Sequence, residues 1–392
     1  MHRAARRARR RERGGDDRPR SHARGGIHLS EAEIARLREE IADVDREIVG
    51  LVAKRLHLAA QVGVEKNLLQ KPVRDEEAED LVHTRFLSEC AARDIRATFA
   101  EGLAGLLIDE SVRRQDAVRA PASRHQRSLV VGGAGQMGRW LCRYFRSRGF
   151  EVVVNDPAGP VEGFPFEPDL RRAVHEADVV AVSVPMSVSA DVLRAIAEMK
   201  PKALVFDIAS LKAPVEEPLR SMGRAGLRVA SVHPMFGPNL WPLSSGNITF
   251  SDCGNAVAVL EAKELFRPSG ASFVDVSLDH HDEFMSFLLG LSHLCLLTFA
   301  RCVAHSPFDL AGLKRPAGTT FSRLSIAAAG LLADPPALLR DIQALNPHTP
   351  AIHRRIRDVL EDWRKATSAA DGSEFLRLTE EARAYFAGGT PL

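Results

Sequence analysis

Cysteine is scarce in this sequence. Cys90, Cys142, Cys253, Cys295 and Cys302 are odd in number, form no CxxC pair, and none stands beside a His or Asp cluster at metal-ligand spacing. That argues against a disulfide-stapled secreted fold and against a metal centre, and it fits the reducing cytoplasm. Long apolar runs are also missing: the stretch from Leu288 to Ala300 is interrupted by Ser292, His293 and Thr298, so no membrane span is expected. No secretory apolar region follows the basic N-terminus. Strong charge of one sign is absent too. The net charge is +2, and the arginines crowded at the start (Arg3, Arg6, Arg7, Arg9, Arg10, Arg11, Arg13) leave the rest close to neutral. Nucleic acid is therefore not expected as the partner of the folded body.

What is present divides the chain into regimes. At 392 residues it is long enough for two or three domains, and an apolar fraction of 45% can fill their cores. Residues 1–28 read as an arginine-rich tail outside the function. Residues 29–118 read as helix throughout. Ser30 and Glu33 form a capping box, and Ile34, Leu37, Ile41, Val44, Ile48, Leu51, Val52, Leu56 and Ala59 recur at three- and four-residue spacing. With no proline before Pro72, this predicts one helix of roughly 35 residues, long enough to imply packing against another chain. Two shorter helices follow, near 75–92 and 96–118. Residues 119–127 are a polar linker. From 128 to 279 short β-rich runs alternate with helices: Ser128–Val131, Glu151–Val154, Val179–Val182, Ala203–Phe206 and Val229–Val232. That alternation predicts an α/β Rossmann-like domain, a parallel sheet with helices on both faces. Residues 280–392 return to a helical period, giving an all-α C-terminal domain suited to cover the sheet's active edge or to form a dimer interface.

The first run leads straight into Gly133-Ala134-Gly135-Gln136-Met137-Gly138, and an amphipathic helix follows. In that context the first glycine permits a tight turn, the second lets backbone approach a pyrophosphate, and the third lets helix and strand pack closely. The helix N-terminus then presents its dipole to the phosphates. The second run ends at Asn155-Asp156, about twenty residues on, where a carboxylate accepts ribose hydroxyls and repels a 2′-phosphate. NAD is the expected cofactor. Ser183 and Pro185 close a further strand at the carboxyl edge where ligands bind. Ser210 closes the next, in Asp207-Ile208-Ala209-Ser210-Leu211-Lys212. His233, in His233-Pro234-Met235-Phe236-Gly237-Pro238, ends the one after. A histidine held at a strand end by prolines and a glycine is placed to accept a proton near the nicotinamide.

Together these segments resemble the prephenate dehydrogenases, with a later match at His281-Asp282, Met285 and His293. The helical N-terminus resembles the small all-helical chorismate mutases. Over residues 30 to about 350 the order of the two modules is that of the bifunctional chorismate mutase/prephenate dehydrogenases of tyrosine biosynthesis. The resemblance implies rearrangement of chorismate to prephenate, then oxidative decarboxylation of prephenate to 4-hydroxyphenylpyruvate with NAD. It makes Arg38 and Arg55 clamps for the substrate carboxylates with Ser111 assisting, and it sets Lys66 and Gln115 against the ether oxygen and Asp75 and Glu79 near the ring hydroxyl. In the dehydrogenase it makes His233 the base and Ser210 its orienting partner or that of the nicotinamide amide. Spacing agrees for most of the mutase set. Arg55 and Lys66 are eleven residues apart, about three turns, while Ser111 and Gln115 share one helix face. Arg38 and Arg55 do not fit on one ligand, since seventeen residues separate them by roughly 25 Å and about 100° of phase. Arg38 must then serve a site built by a second chain, so an intertwined homodimer is expected.

Two positions depart from the resemblance. Ala78 stands where the mutase family carries an arginine. The segment Ile326–Ala333, before Asp334-Pro335, lacks the arginine with which the dehydrogenases grip substrate; Arg323 or Arg301 are the nearest replacements. Loss of a cation beside Asp75 and Glu79 favours an ammonium on the ring. The alternative is therefore a 4-amino-4-deoxychorismate mutase joined to a 4-amino-4-deoxyprephenate dehydrogenase. A non-catalytic regulator that binds ligands of the same pathway is a reading of another class.

Overall fold

A computed structural model describes residues 31–388, apart from 70, 72, 74, 118–125, 239–245 and 270. The expected capping residue Ser30, the helix breaker Pro72, the arginine-rich tail and most of the linker lie outside the described residues. The chain divides between Lys54 and Arg55, inside its first helix, into two compact units. That helix, α1 (Glu31–Leu68), is 38 residues long, close to the length that its uninterrupted apolar period predicts. In the first unit its apolar positions are open to solvent: Ile41, Val44 and Ile48 are each more than half exposed. A single helix has nothing of its own on which to bury such a stripe.

The second unit contains the end of α1 and then α2 (Glu76–Ala91) and α3 (Ala97–Ala117). Asp75 caps α2 by accepting the amide of Ala78, a bond of 3.2 Å that satisfies one of the helix's unpaired first donors. Val73, Ile108 and Val112 form the small buried cluster among these helices.

Beyond the linker, β1 (Arg127–Val131), α4 (Gln136–Ser147), β2 (Glu151–Asn155), α5 (Leu170–His175), β3 (Val179–Val182), α6 (Met186–Glu198), β4 (Leu204–Asp207), α7 (Glu216–Arg224) and β5 (Val229–Pro234) follow in the expected alternation. Two further strands, β6 (Asn247–Asp252) and β7 (Ser272–Asp275), flank α8 (Ala256–Phe266). The sheet has seven strands in the order β2-β1-β3-β4-β5-β6-β7. It is not wholly parallel, as the sequence suggested: β6 runs antiparallel to β5, and β7 parallel to β6. The missed strand carries its own signal, since apolar Ile248 and Phe250 alternate with Asn247, Thr249 and Ser251. Residues alternate between the two faces of the sheet. Val130, Phe206 and Val232 pack under α4 and α8, where Trp140 and Tyr144 stack at 5.4 Å. Leu129, Val131 and Val205 pack under α6 and α7. Each such fully buried large side chain contributes on the order of 2 kcal/mol.

The C-terminal region is helical, as expected: α9 (Leu278–Met285), a π-helical segment (Ser286–Leu291), α10 (Ser292–Ala304), α11 (Leu310–Lys314), α12 (Thr319–Leu332), α13 (Pro336–Ala344), α14 (Thr349–Ser368) and α15 (Ser373–Phe386). It is not detached from the sheet, because Leu278, Met285 and Ile342 belong to the core under α6 and α7. One expectation is corrected here. The run Leu278–Ala304 is continuous, and by length and composition it is apolar enough to cross a membrane. Its first turns nevertheless bury His281 and Asp282 against the sheet domain, so it begins as a core helix.

Candidate active sites

Order in the sheet reverses between β1 and β3, the switch point beside which open α/β sheets bind ligands. The glycine loop leaves β1 at this point. Gly132 has φ +84°, and a side chain there would drive Cβ to 2.3 Å from the carbonyl oxygen of Ser183, at the end of β3. The tight left-handed turn thus falls on Gly132, not on Gly133 as the spacing suggested. Gly133 is constrained by packing instead, since a Cβ would lie 2.6 Å from Val154 of β2. At Gly138 a Cβ would come within 2.0 Å of the Gly132 carbonyl oxygen, so this glycine brings helix and loop together as expected. Gly135 is the N-cap of α4, and no side chain caps the amides that follow it. Gln136 is exposed at the first turn, while Met137 packs on the core. A helix start left open in this way fits a phosphate. Ser183 donates its amide to Val131 at 2.8 Å, and Pro185 starts α6, so both stand beside the loop. Asp156, expected to accept ribose hydroxyls, has a structural tie as well. Its carboxylate accepts the amides of Ala134 at 2.9 Å and Ala158 at 2.8 Å, tying the end of β2 to the glycine loop.

His233 lies within β5, paired with Thr249 of β6, and is 4% exposed. Ser210 was expected to orient either His233 or the nicotinamide amide, and among the described residues no hydrogen bond joins it to His233. His281 takes that place: His233 Nδ1 is 3.1 Å from His281 Nε2, and His281 Nδ1 is 2.7 Å from Asp282 Oδ1. Asp282 also accepts the amides of Lys212 and Ala213, both at 2.7 Å. Burial, reinforced by the Lys212 cation and by His281, holds His233 well below the usual histidine range. Burial lowers His281 as well, against the pull of Asp282.

Lys212 is buried with Asp207 at 2.8 Å, and its Nζ also donates to the carbonyls of Ala209 and Val232. Ser231 donates to the other oxygen of Asp207 at 2.6 Å. With its donors turned inward, Lys212 fixes the backbone next to His233 and is not free to grip a ligand. The residues Asp207 and Lys212 flank Ser210 in sequence; a Lys five positions after a strand-ending Asp was the signal available for this pair.

A second site lies among the first three helices of the second unit. Arg55, Lys66, Asp75, Glu79, Ser111 and Gln115 line one cleft of about 100 Å³. Arg55 Nη1 donates to the Leu107 carbonyl at 2.7 Å and to the Ser111 hydroxyl, so its direction is fixed. Partial burial pulls this guanidinium down from its usual range, and it remains a cation. Lys66 donates to the Val73 carbonyl at 2.7 Å and lies 3.9 Å from Asp75. Gln115 Oε1 is buried without a hydrogen-bond partner, an unsatisfied group that a ligand could complete. Ala78 lines the same cleft. Arg38 is in the first unit and exposed. Among the described residues no cluster of His, Cys, Asp and Glu could hold a metal ion. Arg301 and Arg323 are exposed, and the structure ties neither to His233.

Residues 37–116 match the family chorismate mutase type II, and residues 163–250 match the family prephenate dehydrogenase, nucleotide-binding domain. The second match begins after the glycine loop and includes His233. A probable arogenate/prephenate dehydrogenase of Methanocaldococcus jannaschii is 23% identical over 66% of this chain, which spans 60% of that protein's length. The T-protein of Haemophilus influenzae is 26% identical, over 89% of this chain and 91% of its own. The 4-amino-4-deoxyprephenate dehydrogenase of Streptomyces pristinaespiralis is 28% identical, over 66% of this chain and 90% of its own. Among solved structures, prephenate dehydrogenase from A. aeolicus in complex with hydroxyphenyl propionate and NAD+ shares the fold. Its TM-score is 0.54 at 18% identity, covering 68% of this chain and 99% of that one.

Proposed function

From a chain that joins a chorismate mutase type II domain to a prephenate dehydrogenase nucleotide-binding domain, we propose a bifunctional enzyme of tyrosine biosynthesis: it rearranges chorismate to prephenate and oxidatively decarboxylates prephenate with NAD. The observation that carries this reading is the presence of both domains, in this order, in a chain that aligns with a T-protein along nearly its whole length.

In the mutase step no bond to the protein forms. Arg55 holds a substrate carboxylate with Ser111 beside it, and Lys66 and Gln115 stabilise the charge that grows on the ether oxygen as the C–O bond breaks. Asp75 and Glu79 take the ring substituent. Arg38 completes a site of a second copy, and the exposed apolar stripe of α1 supports a homodimer. Phe284, Phe287, Leu288 and Ile326, exposed on the C-terminal helices, support a shared surface there too.

In the dehydrogenase step NAD supplies a hydride acceptor. Gly133, Gly135, Gln136, Met137 and Gly138 would hold its pyrophosphate and Asp156 its ribose hydroxyls, with Ser183 and Pro185 beside the same loop. His233 accepts the proton of the ring hydroxyl as hydride leaves the same carbon, and loss of carbon dioxide aromatises the ring. Five free cysteines without a disulfide support a cytoplasmic setting. The test is NAD reduction by the full chain given chorismate alone, which needs both activities. Reduction with prephenate but not chorismate would remove the mutase; reduction with neither would leave the amino series of substrates or the non-catalytic regulator.

A second reading rests on Ala78, which lines the cleft with Asp75 and Glu79 at the position where the mutase resemblance implies an arginine, and on the likeness to the Streptomyces enzyme. It assigns the amino series of substrates. Comparison of 4-amino-4-deoxychorismate with chorismate in the same coupled assay decides it: comparable rates, or a preference for chorismate, discard the amino reading.

A further inference from the structure

We infer that His281, held by Asp282, is a positioning residue that sets the tautomer of His233, so that His233 carries its proton on Nδ1 and presents a bare Nε2 to the substrate hydroxyl. This rests on the dehydrogenase reading and adds to it a role for two residues.

The argument starts at the far end of the chain of contacts. Asp282 meets three nitrogens at 2.7 Å: the amides of Lys212 and Ala213, which can only donate, and His281 Nδ1. Its two oxygens are thus both faced by donors, and a proton on either would point at another N–H; the carboxylate is ionised. The three donors keep Asp282 below the usual carboxylate range despite its burial. An ionised carboxylate is acceptor-only, so His281 Nδ1 must carry the hydrogen. His281 is fully buried, with the Lys212 cation nearby, which favours the neutral ring. A neutral ring protonated on Nδ1 has a lone pair on Nε2. That lone pair faces His233 Nδ1 at 3.1 Å, so His233 Nδ1 must donate. His233, also buried and neutral, is left with its lone pair on Nε2.

The relay then helps in the reaction itself. When Nε2 takes the proton, His233 becomes an imidazolium whose Nδ1–H already points at the lone pair of His281. Positive charge formed there is stabilised by an acceptor that needs no reorientation and is oriented by the Asp282 carboxylate behind it. Asn346 donates to the Asp282 carbonyl at 2.7 Å and so anchors the start of the relay to the loop between α13 and α14.

The tautomer can be read without any turnover. In the full chain with NAD bound and histidines labelled with 15N, His233 (assigned by its loss in His233→Asn) should show a bare, pyridine-type Nε2 and a protonated Nδ1. The reverse pattern overturns the inference even if the enzyme is fully active. Kinetically, His281→Leu removes the acceptor and should lower dehydrogenase kcat about 100-fold, within the span of general-base effects, with KM for NAD unchanged. His281→Gln, whose amide oxygen can accept the same bond, should recover at least about a tenth of wild-type kcat. Equal losses in both variants, or a loss confined to KM, would reduce His281 to a packing residue. Absence of any dehydrogenase activity in the wild-type chain would instead defeat the proposed function and leave the tautomer measurement standing.

Discussion

The two sites of this chain are built on opposite physical plans. Around His233 the polar groups are buried within the sheet domain: Lys212, Asp207 and His281 are almost wholly removed from solvent, and each finds its partner in the same unit. Among the described residues the mutase cleft rests on a small buried cluster, Val73, Ile108 and Val112 with Val82 packed against it, and α1 leaves its apolar stripe in solvent. A buried network holds a proton acceptor in one orientation at the cost of desolvating it, which suits acid–base chemistry. A pericyclic rearrangement asks only for cations at fixed separations, and those can be held at a helical surface completed by another copy. The contrast teaches that the two activities should fail separately, under different perturbations.

The largest separation is expected from His233→Asn. Dehydrogenase turnover should fall about 1,000-fold, in the range for loss of a general base, while chorismate rearrangement continues at the wild-type rate. Stopped-assay kinetics on both reactions check this; survival of turnover would remove His233 from the reaction. Arg55→Ala is the mirror experiment. Loss of a directed charged hydrogen bond should slow the mutase on the order of 100-fold, equivalent to about 3 kcal/mol, and leave prephenate oxidation untouched. If both activities fell together, the two sites would not be independent.

A smaller effect tests the surface plan. Replacing Ile41 and Ile48 together by Asp puts two charges on the exposed stripe of α1. Sedimentation should show self-association weakened on the order of 1,000-fold, two isoleucines buried at the contact being worth about 4 kcal/mol together, and mutase activity should be lost on dilution at correspondingly higher concentration. The dehydrogenase of the same variant should keep its His233 network and its NAD affinity. An unchanged oligomer would mean that α1 is not a contact between copies.

How far the sequence showed these plans follows from what each depends on. The long helix, the alternating strands and the glycine loop come from local periodicity, and the structure has them within a residue or two of the expected bounds. The cleft residues Arg55, Lys66, Ser111 and Gln115 are grouped by the resemblance to the chorismate mutases, and helical phase agrees with it inside each helix, since it fixes which side chains share a face. The antiparallel β6 and the partner of His233 could not be read in that way. His281 is forty-eight positions from His233 in sequence, and only the docking of α9 on the sheet brings the rings together. Ser210 was the nearer guess in sequence; Asp207 and Lys212 beside it instead turn inward and consume each other's hydrogen bonds. Gly132 taught the same lesson on a smaller scale. The motif marks where glycine is needed, but which one has positive φ depends on contact with the end of β3.

The mildest perturbation, pH, sharpens the comparison last. His233 must be neutral to accept a proton, and its burial beside Lys212 and His281 lowers its pKa well below the ordinary 6.5. As pH falls, the neutral form therefore outlasts that of a free histidine. The kcat/KM of the dehydrogenase should stay flat from pH 8 down through about 6.5, the unperturbed histidine value, with its acid limb lower still. Asp282 and Asp207 face the relay from α9 and β4, and Lys212 from the loop after β4. Neutralising Asp282 by Asp282→Asn removes the carboxylate that orients His281, so the limb should move and the rate should drop in the same variant. The mutase cleft holds no buried histidine among its lining residues, so its own profile should not follow. A dehydrogenase limb centred at the ordinary histidine value would mean that His233 titrates as a solvated ring, and the contrast between a buried site and a surface site would lose its chemical basis.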